Sequence, residues 1–444
     1  MNRKSAMSDG NIFAVEIPWV RQGAYLIYAP LADVLFVANR QFAEELERTL
    51  AGETVSSQAM AIADTIRNQT AFPPLNEDMK FSCLTVLPTN CCNFDCSYCY
   101  AARNRETSRQ TISSENLMAG LQLFLSRVPE DVSSIAVTFY GGGEPLLAWE
   151  RIVETLDFLS HRFKGKTYSR LITNGSLFDK DKIAFAKECH MELVISFDIL
   201  PDIQERQRGH YELVAGKIDN CLRSGLVPEI NSVITQANVN RMLEMIDYAA
   251  HEWDPIKYFH FEPVIGRDLF PAPQDYHDFL FSFLKNFLEA QVKTQGTGKE
   301  LSCSFWKKLA CPSYRFCPVD YVITPYGEIT SCACFSSPQI DDYDFYLYGK
   351  MGENLASLDH KRFSQLLSLN STGYPECREC ISKWNCAGGC LHRRRTMGPN
   401  YNAEFCRFMR SFTIRGLVNK LDSRYREDYG KSLRELLTIS GTEY

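Results

Sequence analysis

The chain has 444 residues, 45% of them hydrophobic, and a formal net charge of −6 at pH 7. This length accommodates two or three domains, and the negative charge gives no electrostatic reason to expect binding to nucleic acid or to an anionic membrane. We find no apolar run of about 18 residues and no apolar signal region at the N-terminus, so we expect a cytoplasmic protein that does not span a membrane.

Cysteine is the unusual component of the composition. The chain contains 17 cysteines, and the dense clusters lie at residues 92–99 and 311–406. In a small secreted protein such clusters form disulfides, whereas in a chain without a signal region they indicate bound metal.

Residues 1–75 predict a small α+β cap. We predict two strands and then two helices, over Ala24–Tyr28, Val34–Ala38, Arg40–Leu50 and about 57–68. One interpretation is a cap packed on the rest of the chain. The other is a platform for a peptide, because the edge of a sheet can pair with an extended peptide. Pro73 and Pro74 then predict a linker over 69–80.

Strands and helices alternate regularly after the linker. We predict strands at about 82–87, 135–140, 168–173, 191–198, 228–235 and 258–262, and helices at about 113–127, 149–163, 178–189, 211–224, 239–252 and 276–292. Six successive βα units predict a parallel sheet with right-handed crossovers. The fold class is therefore α/β, a partial (β/α)6 barrel over residues 76–300, and six strands instead of eight leave its side open to a polypeptide.

The first predicted strand leads into a loop that carries Cys92, Cys96 and Cys99 with the spacing C-x3-C-x2-C. Three thiolates can hold three irons of a four-iron cluster and leave the fourth iron open to another ligand; thiolates suit iron–sulfur clusters or zinc. Barrel enzymes keep their chemistry at this end of the strands.

With Tyr98 in front of Cys99, the loop resembles that of the radical S-adenosylmethionine (radical SAM) superfamily. The resemblance implies that S-adenosylmethionine chelates the open iron through its amino and carboxylate groups. Reductive cleavage of this cofactor would then give a 5′-deoxyadenosyl radical that abstracts hydrogen from a substrate. A zinc knuckle is the structural alternative.

Motifs at the ends of the next strands agree with this resemblance. The sequence from Gly141 to Pro145 resembles the family's G-G-E-P motif, and Thr173 to Ser176 resembles its T-N-G motif. The resemblance implies cofactor contacts from Gly142, Gly143, Glu144, Asn174 and Ser176. Glycines let backbone groups approach the ligand, and a carboxylate balances its ammonium group.

The fourth strand ends in Ser196-Phe-Asp198, which resembles an S-x-D motif whose polar side chains meet the ribose hydroxyls. The family's usual Gly-Pro is replaced here by Ile199-Leu200-Pro201. Ten residues beyond Asp198, Arg208 is implied to face the cofactor carboxylate, with Arg206 as the alternative.

On the sixth strand His260 and Glu262 share one face, because they alternate along the strand. If that face lines the barrel, Glu262 is a candidate general base.

The second cysteine cluster lies in residues 301–410, which we predict to be a separate domain, followed by a helical segment over 411–444. Seven of its cysteines and Gly327 fit the spacing of the SPASM domain of radical enzymes that modify peptides and proteins, and Cys311 supplies an eighth thiolate. The resemblance implies two further [4Fe-4S] clusters, the first held by Cys311, Cys317, Cys332 and Cys390 and the second by Cys377, Cys380, Cys386 and Cys406. Two zinc sites are the alternative. We interpret the basic residues 392–395 as a solvated face.

These features predict an enzyme with three [4Fe-4S] clusters and S-adenosylmethionine. We expect it to install a thioether or carbon crosslink oxidatively in a ribosomally made peptide, with a leader, and to receive electrons from a flavodoxin- or ferredoxin-type protein. The alternative activity is anaerobic sulfatase maturation, which forms formylglycine. Those enzymes carry an acidic residue directly after the cysteine that matches Cys332, whereas this chain has Ala333. An electron-transfer protein without enzymatic activity is a third class, and the cofactor motifs argue against it.

Overall fold

The computed structural model describes residues 6–8, 11–17, 19–20, 23–68, 76–101, 109–351 and 356–433. The first part of the predicted linker, with Pro73 and Pro74, lies outside the described residues. So do residues 434–444 of the predicted C-terminal segment.

The N-terminal region is a four-stranded antiparallel sheet, in the order β1-β2-β3-β4, followed by two helices. Its elements are β1 (Ala6–Ser8), β2 (Ile12–Glu16), β3 (Ala24–Ala29), β4 (Val34–Asn39), α1 (Arg40–Leu50) and α2 (Ser57–Arg67). The two helices begin at capping side chains, since Asn39 accepts from the backbone N–H of Phe42 and Ser56 from that of Ala59. The predicted strands and helices are confirmed; β1 and β2 were not predicted.

This small sheet is held against the C-terminal cysteine region. The Tyr28 hydroxyl donates to Oδ1 of Asn385 at 3.1 Å, and the indole N–H of Trp384 donates to Oδ1 of Asn11 at 3.1 Å. The guanidinium of Arg415 lies 4.3 Å from the centre of the Trp19 ring. The N-terminal cap therefore contacts residues that flank Cys386, a placement that the sequence did not indicate.

The central region contains the six predicted parallel strands in sequential order. The strands are β5 (Cys83–Val86), β6 (Ser134–Phe139), β7 (Lys166–Thr173), β8 (Glu192–Ser196), β9 (Glu229–Ile234) and β10 (Tyr258–Pro263). The helices are α3 (Ser114–Leu125), α4 (Trp149–Arg162), α5 (Lys180–Glu188), α6 (Pro201–Gln207), α7 (Tyr211–Arg223), α8 (Met242–Glu252) and α9 (Pro273–Thr294). The partial barrel is confirmed, and the short helix α6 is an addition. Pro201, where the sequence departs from Gly-Pro, is the first residue of α6, a position that suits proline.

The C-terminal region extends the same sheet at both edges. Its strands are β11 (Glu300–Ser302), β12 (Tyr321–Ile323), β13 (Glu328–Thr330), β14 (Leu347–Met351) and β15 (Ala356–Leu358). Strand β12 pairs in parallel with β5 and begins the antiparallel series β12-β13-β14-β15, while β11 pairs in parallel with β10. Since β11 and β15 are the edges of the described sheet, the barrel does not close on itself.

The remaining helices are α10 (Ser304–Ala310), α11 (Tyr343–Tyr346), α12 (His360–Ser368), α13 (Lys383–Cys386), α14 (Leu391–Met397) and α15 (Pro399–Tyr429). The predicted boundary at 410/411 falls inside α15, and the boundary at 300/301 falls inside β11. The long helix α15 packs along α9 through aromatic rings, with Phe412 and Phe287 6.0 Å apart. The C-terminal region is thus joined to the barrel by shared strands and shared core. No helix in the described ranges is long and apolar enough to cross a membrane.

Gly416 of α15 tests this packing. A Cβ atom there would lie 2.4 Å from Cδ1 of Leu309 on α10, whereas one at Gly216 of α7 would have no neighbour within 4 Å. We expect Gly416→Val to lower stability by about 1–3 kcal/mol because it overpacks the contact. Gly216→Val, also in a helix, should change stability by less than about 0.5 kcal/mol. Thermal unfolding of the two variants measures the difference, and equal melting temperatures would contradict the packing described here.

Candidate active site

The three cysteines of the first loop line a cavity of about 320 Å³ at the C-terminal ends of the barrel strands. The loop follows β5, and the other walls come from the ends of β6 to β10. The predicted residues that line this cavity are Cys92, Cys96, Cys99, Tyr98, Gly142, Gly143, Glu144, Asn174, Ser196, Arg208 and Glu262. The structure therefore brings together most of the site residues predicted in the barrel, and Ser176 and Asp198 are the exceptions.

The glycine motif after β6 fits closely against the cysteine loop. The backbone N–H of Glu144 donates to the carbonyl oxygen of Cys91 at 2.8 Å. A Cβ atom on Gly143 would lie 1.9 Å from that oxygen, so residue 143 has no room for a side chain. Gly142 has a φ of +73°, a conformation that glycine adopts without strain. Gly143 thus sets the distance between the loop and β6.

The Glu144 carboxylate is buried at the wall of the cavity. It accepts hydrogen bonds from the Thr173 hydroxyl and from the backbone N–H groups of Leu146 and Asn174. Burial raises the pKa of Glu144, and these hydrogen bonds oppose the rise. The arrangement holds an acceptor at the cavity wall in a fixed orientation, as binding of an ammonium group requires.

Asp198 lies behind the cavity and its carboxylate is fully used. It is completely buried and accepts from Tyr98, Gln207 and Ser232 side chains and from the backbone N–H of Val233, at 2.9 to 3.1 Å. Its contact with ribose hydroxyls stays a prediction, and in this structure its acceptor positions face protein donors. Asp198 orients Tyr98, whose hydroxyl also accepts from Nη1 of Arg208 at 2.8 Å.

Ser176 also contributes to the structure of the site and does not line the cavity, and its cofactor contact stays a prediction. Its hydroxyl donates to Oδ1 of Asn174 at 2.7 Å and accepts from Nδ2 of Asn93, in the cysteine loop, at 2.9 Å. Nδ2 of Asn174 donates in turn to Oδ1 of Asn93 at 2.9 Å. These three side chains fasten the cysteine loop to the end of β7.

Three of the described residues that line the cavity have a side-chain polar atom that is buried without a hydrogen-bond partner. They are Arg208 with its Nε, a donor, Asn231 on β9 with its Oδ1, an acceptor that was not predicted, and His392 with its Nδ1. Buried polar groups are normally paired, so unpaired ones at a cavity indicate a ligand. A ligand with a carboxylate and with ammonium or hydroxyl donors fits Arg208, Glu144 and Asn231. S-adenosylmethionine has these groups, and the cavity also contains three thiols suited to iron.

Glu262 reaches the cavity from the end of β10. Its Oε2 lies 3.0 Å from Nε2 of His260 and accepts the backbone N–H of Ser304, at the start of α10, at 2.9 Å. The two side chains share a face, as predicted. Because His260 and Ser304 already bind its carboxylate, Glu262 is more constrained than a solvated base.

A second cavity of about 1080 Å³ adjoins the first, and the two share lining residues from the cysteine loop and the C-terminal region. Cys334 and His392 line both cavities. The Cys334 thiol hydrogen-bonds to that of Cys332 and interacts with the hydrogen-bonded phenols of Tyr100 and Tyr140. Tyr100 and Tyr140 had no predicted role, and His392 was interpreted as part of a solvated face, because the convergence of these residues with Cys334 depends on the pairing of β12 with β5.

The cysteines of the C-terminal region fall into two groups. The Cys386 thiol interacts electrostatically with those of Cys377, Cys380 and Cys406. The Cys317 thiol interacts with those of Cys332 and Cys390. Cys311 is exposed, and Lys308 interacts electrostatically with both Cys311 and Cys317. Within the described ranges no three His, Cys, Asp or Glu side chains converge as a single metal ion would require.

Residues 86–249 match the family model of the radical SAM superfamily. This part of the chain is a radical SAM domain. The enzyme is 23% identical over 377 residues to a cysteine-type anaerobic sulfatase-maturating enzyme of Clostridium novyi, covering 75% of this chain and 95% of that relative. It is 24% identical over 335 residues to the radical SAM cyclopropyl synthase TigE of Paramaledivibacter caminithermalis, covering 70% and 68%.

The fold of the enzyme is similar to a solved structure of native anSMEcpe with bound AdoMet and Cp18Cys peptide, with a TM-score of 0.59 and 18% identity over 76% of this chain and 98% of that chain. The superfamily implies that the enzyme uses S-adenosylmethionine and one [4Fe-4S] cluster. The donor set around the 320 Å³ cavity fits both groups.

Arg208 and Arg206 are predicted to differ in their effect on cofactor binding. Arg208 lines the cavity, whereas Arg206 is exposed on α6. We expect Arg208→Gln to weaken S-adenosylmethionine binding by about 10- to 100-fold, because a hydrogen bond to a charged group contributes about 1.5–3 kcal/mol. Arg206→Gln should leave the affinity unchanged. Equilibrium binding to the iron-loaded protein measures both, and an equal loss in the two variants would refute the assignment.

Proposed function

We propose that this enzyme oxidatively modifies a ribosomally made peptide, installing a thioether or carbon crosslink. The observation that carries the proposal is the 1080 Å³ cavity that opens onto the cysteine loop. Pockets for small molecules range over about 300–1,000 Å³, so this cavity offers room for a peptide segment. Two similar proteins support the proposal. One is named a sulfatase-maturating enzyme, and the other, anSMEcpe, has a solved structure with a bound peptide.

Cys92, Cys96 and Cys99 would hold the [4Fe-4S] cluster, and Gly142, Gly143, Glu144, Asn174, Ser196, Tyr98 and Arg208 would surround the cofactor. S-adenosylmethionine bound there supplies a 5′-deoxyadenosyl radical for hydrogen abstraction. The chain orients the cofactor: Glu144 binds its ammonium group, Arg208 its carboxylate, and Asn231 a donor group.

We assign the two groups of C-terminal cysteines to two auxiliary [4Fe-4S] clusters. The grouping of the thiols supports this division, since Cys377, Cys380, Cys386 and Cys406 interact with one another, as do Cys317, Cys332 and Cys390. Cys311 completes the first set. One of these clusters would accept the electron that remains after hydrogen abstraction, and Glu262 would take the proton. A flavodoxin- or ferredoxin-type protein would supply the electron that starts each turnover.

The N-terminal sheet is our proposed platform for the peptide leader. Its two edge strands are β1 and β4, and β4 is the edge that we propose for the leader. An extended peptide can add to such an edge through backbone hydrogen bonds. The contacts of this sheet with residues that flank Cys386 would place the leader beside the second auxiliary cluster.

Formylglycine formation is the second candidate, and the 23% identity over 95% of a sulfatase-maturating enzyme favours it. Such enzymes carry an acidic residue directly after the cysteine that matches Cys332, and this chain has Ala333 at that position. The carbonyl oxygen of Ala333 faces Gly141, and the next side chain at the cavity is the Cys334 thiol. The position therefore lacks a carboxylate.

We expect about twelve irons per chain after anaerobic reconstitution, because eleven cysteines and one open site would hold three four-iron clusters. Replacing Cys92, Cys96 and Cys99 together with Ala should reduce this to about eight and abolish 5′-deoxyadenosine formation. Iron analysis and chromatography measure both quantities. Zinc in the wild-type protein at about two per chain, with about four irons, would contradict the auxiliary clusters.

The substrate is tested with a short peptide encoded beside the enzyme and with a Cys-containing sulfatase peptide. We expect the neighbouring peptide to lose two hydrogens per event, and a version without its leader to react more slowly. Mass spectrometry of both peptides gives the answer. Formylglycine on the sulfatase peptide, with no change in the other, would establish the second candidate instead.

A further inference from the structure

Three consecutive arginines, Arg393 to Arg395, lie shortly after Cys390 and differ in their surroundings. Arg394 and Arg395 form ion pairs with Glu376 and Asp342. Arg393 has only 1% of its surface exposed, so the predicted solvated basic face is wrong for this residue. Among the described residues no carboxylate forms an ion pair with it. A buried charge without a counter-charge is strongly destabilising.

The contacts of Arg393 are neutral groups. Its Nη1 donates to Oδ1 of Asn402 at 2.7 Å, and its guanidinium lies 3.5 Å from the centre of the Phe405 ring. It also hydrogen-bonds to the Tyr276 phenol, whose pKa is raised by burial to about 12, so the phenol is neutral. Its Nε has no hydrogen-bond partner. These contacts orient the guanidinium and leave its charge uncompensated.

The groups that can compensate this charge are cysteines. A Cβ atom built on Gly389 would lie 2.9 Å from Nη2 of Arg393 and 3.7 Å from Sγ of Cys386, and the Arg393 charge interacts electrostatically with this thiol. The Cys390 sulfur accepts the backbone N–H of Arg393 and interacts with its charge. Cys386 and Cys390 belong to different groups of thiols, so Arg393 lies between the two groups.

We propose that Arg393 is the counter-charge shared by the two auxiliary clusters and that it favours their reduced states. The inference rests on the proposed ligands of these clusters. A four-iron cluster bound by four thiolates is anionic, and reduction adds a further negative charge. A fixed buried cation stabilises the reduced form more than the oxidised form, and charge is one of the factors that set cluster potentials. Arg393 thus acts through its positive charge on the potentials of the clusters and does not contact the substrate.

The test uses the Cys92, Cys96 and Cys99 triple Ala variant as its background, because only the auxiliary clusters would then contribute to the signal. Arg393→Met removes the charge and keeps an apolar side chain, whereas Arg393→Lys keeps the charge. Arg395→Met is the matched control, since Arg395 is the neighbouring arginine and is paired with Asp342. Each protein is analysed for iron and titrated with reductant, followed by electron paramagnetic resonance.

We expect Arg393→Met to retain about eight irons. The midpoint potential of at least one auxiliary cluster should fall by about 59 mV or more, because reduction becomes at least tenfold less favourable. The midpoint potential should fall less in Arg393→Lys and stay unchanged in Arg395→Met. Unchanged potentials in an Arg393→Met protein with full iron would overturn the inference and leave the proposed clusters standing. If Arg393→Met loses iron, recovery of iron in Arg393→Lys supports the charge, and equal loss in both assigns Arg393 to packing and overturns it. Absence of iron from the parent background would instead refute the auxiliary clusters.

Discussion

The Asp198 carboxylate is the interaction on which the geometry of the active site depends. It joins the cysteine loop through Tyr98, the helix α6 through Gln207, and β9 through Ser232 and Val233. Burial raises the pKa of Asp198, and Arg208 and these hydrogen bonds oppose the rise. Because a buried carboxylate needs all its acceptor positions satisfied, the three segments can meet in few other ways. Tyr98 then holds Arg208 at the cavity, so a residue behind the cavity wall fixes one that lines it.

The sequence predicted the barrel because its signals are local. Six strands and the helices between them are long enough for their periodicity to be visible, and the C-terminal ends of parallel strands meet at one edge. These signals were sufficient to predict that the cysteine loop, Glu144, Ser196 and Glu262 lie at the same end of the barrel, where they line one cavity. The roles of Asp198 and Ser176 were not predictable in this way. Their hydrogen-bond partners come from segments distant in sequence, and the motif cannot distinguish a side chain facing the ligand from one facing the loop behind it.

The C-terminal strands were missed for a different reason. They have three to five residues, too few for alternation to be informative. Gly327 marks the turn between β12 and β13, with a φ of +71°, and a Cβ atom there would lie 2.6 Å from Asn116 of α3. The glycine found from cysteine spacing therefore lets the turn pack on the barrel helix. This packing accompanies the pairing of β12 with β5, which carries Cys334 to the cavity.

Arg208 and Arg393 show how the two halves of the enzyme differ in their dependence on bound groups. Arg208 has a protein counter-charge nearby, since Tyr98 links it to Asp198, so the cofactor cavity keeps its charge balance without a ligand. Arg393 has thiols beside it and forms no ion pair with a carboxylate of the described residues, so anionic thiols would balance its charge. Thiolates are stabilised by the metal they bind, and metal binding is then part of the folding free energy. The barrel site is accordingly organised before its cofactor arrives, whereas the proposed auxiliary clusters would make the stable arrangement of the C-terminal region depend on bound metal.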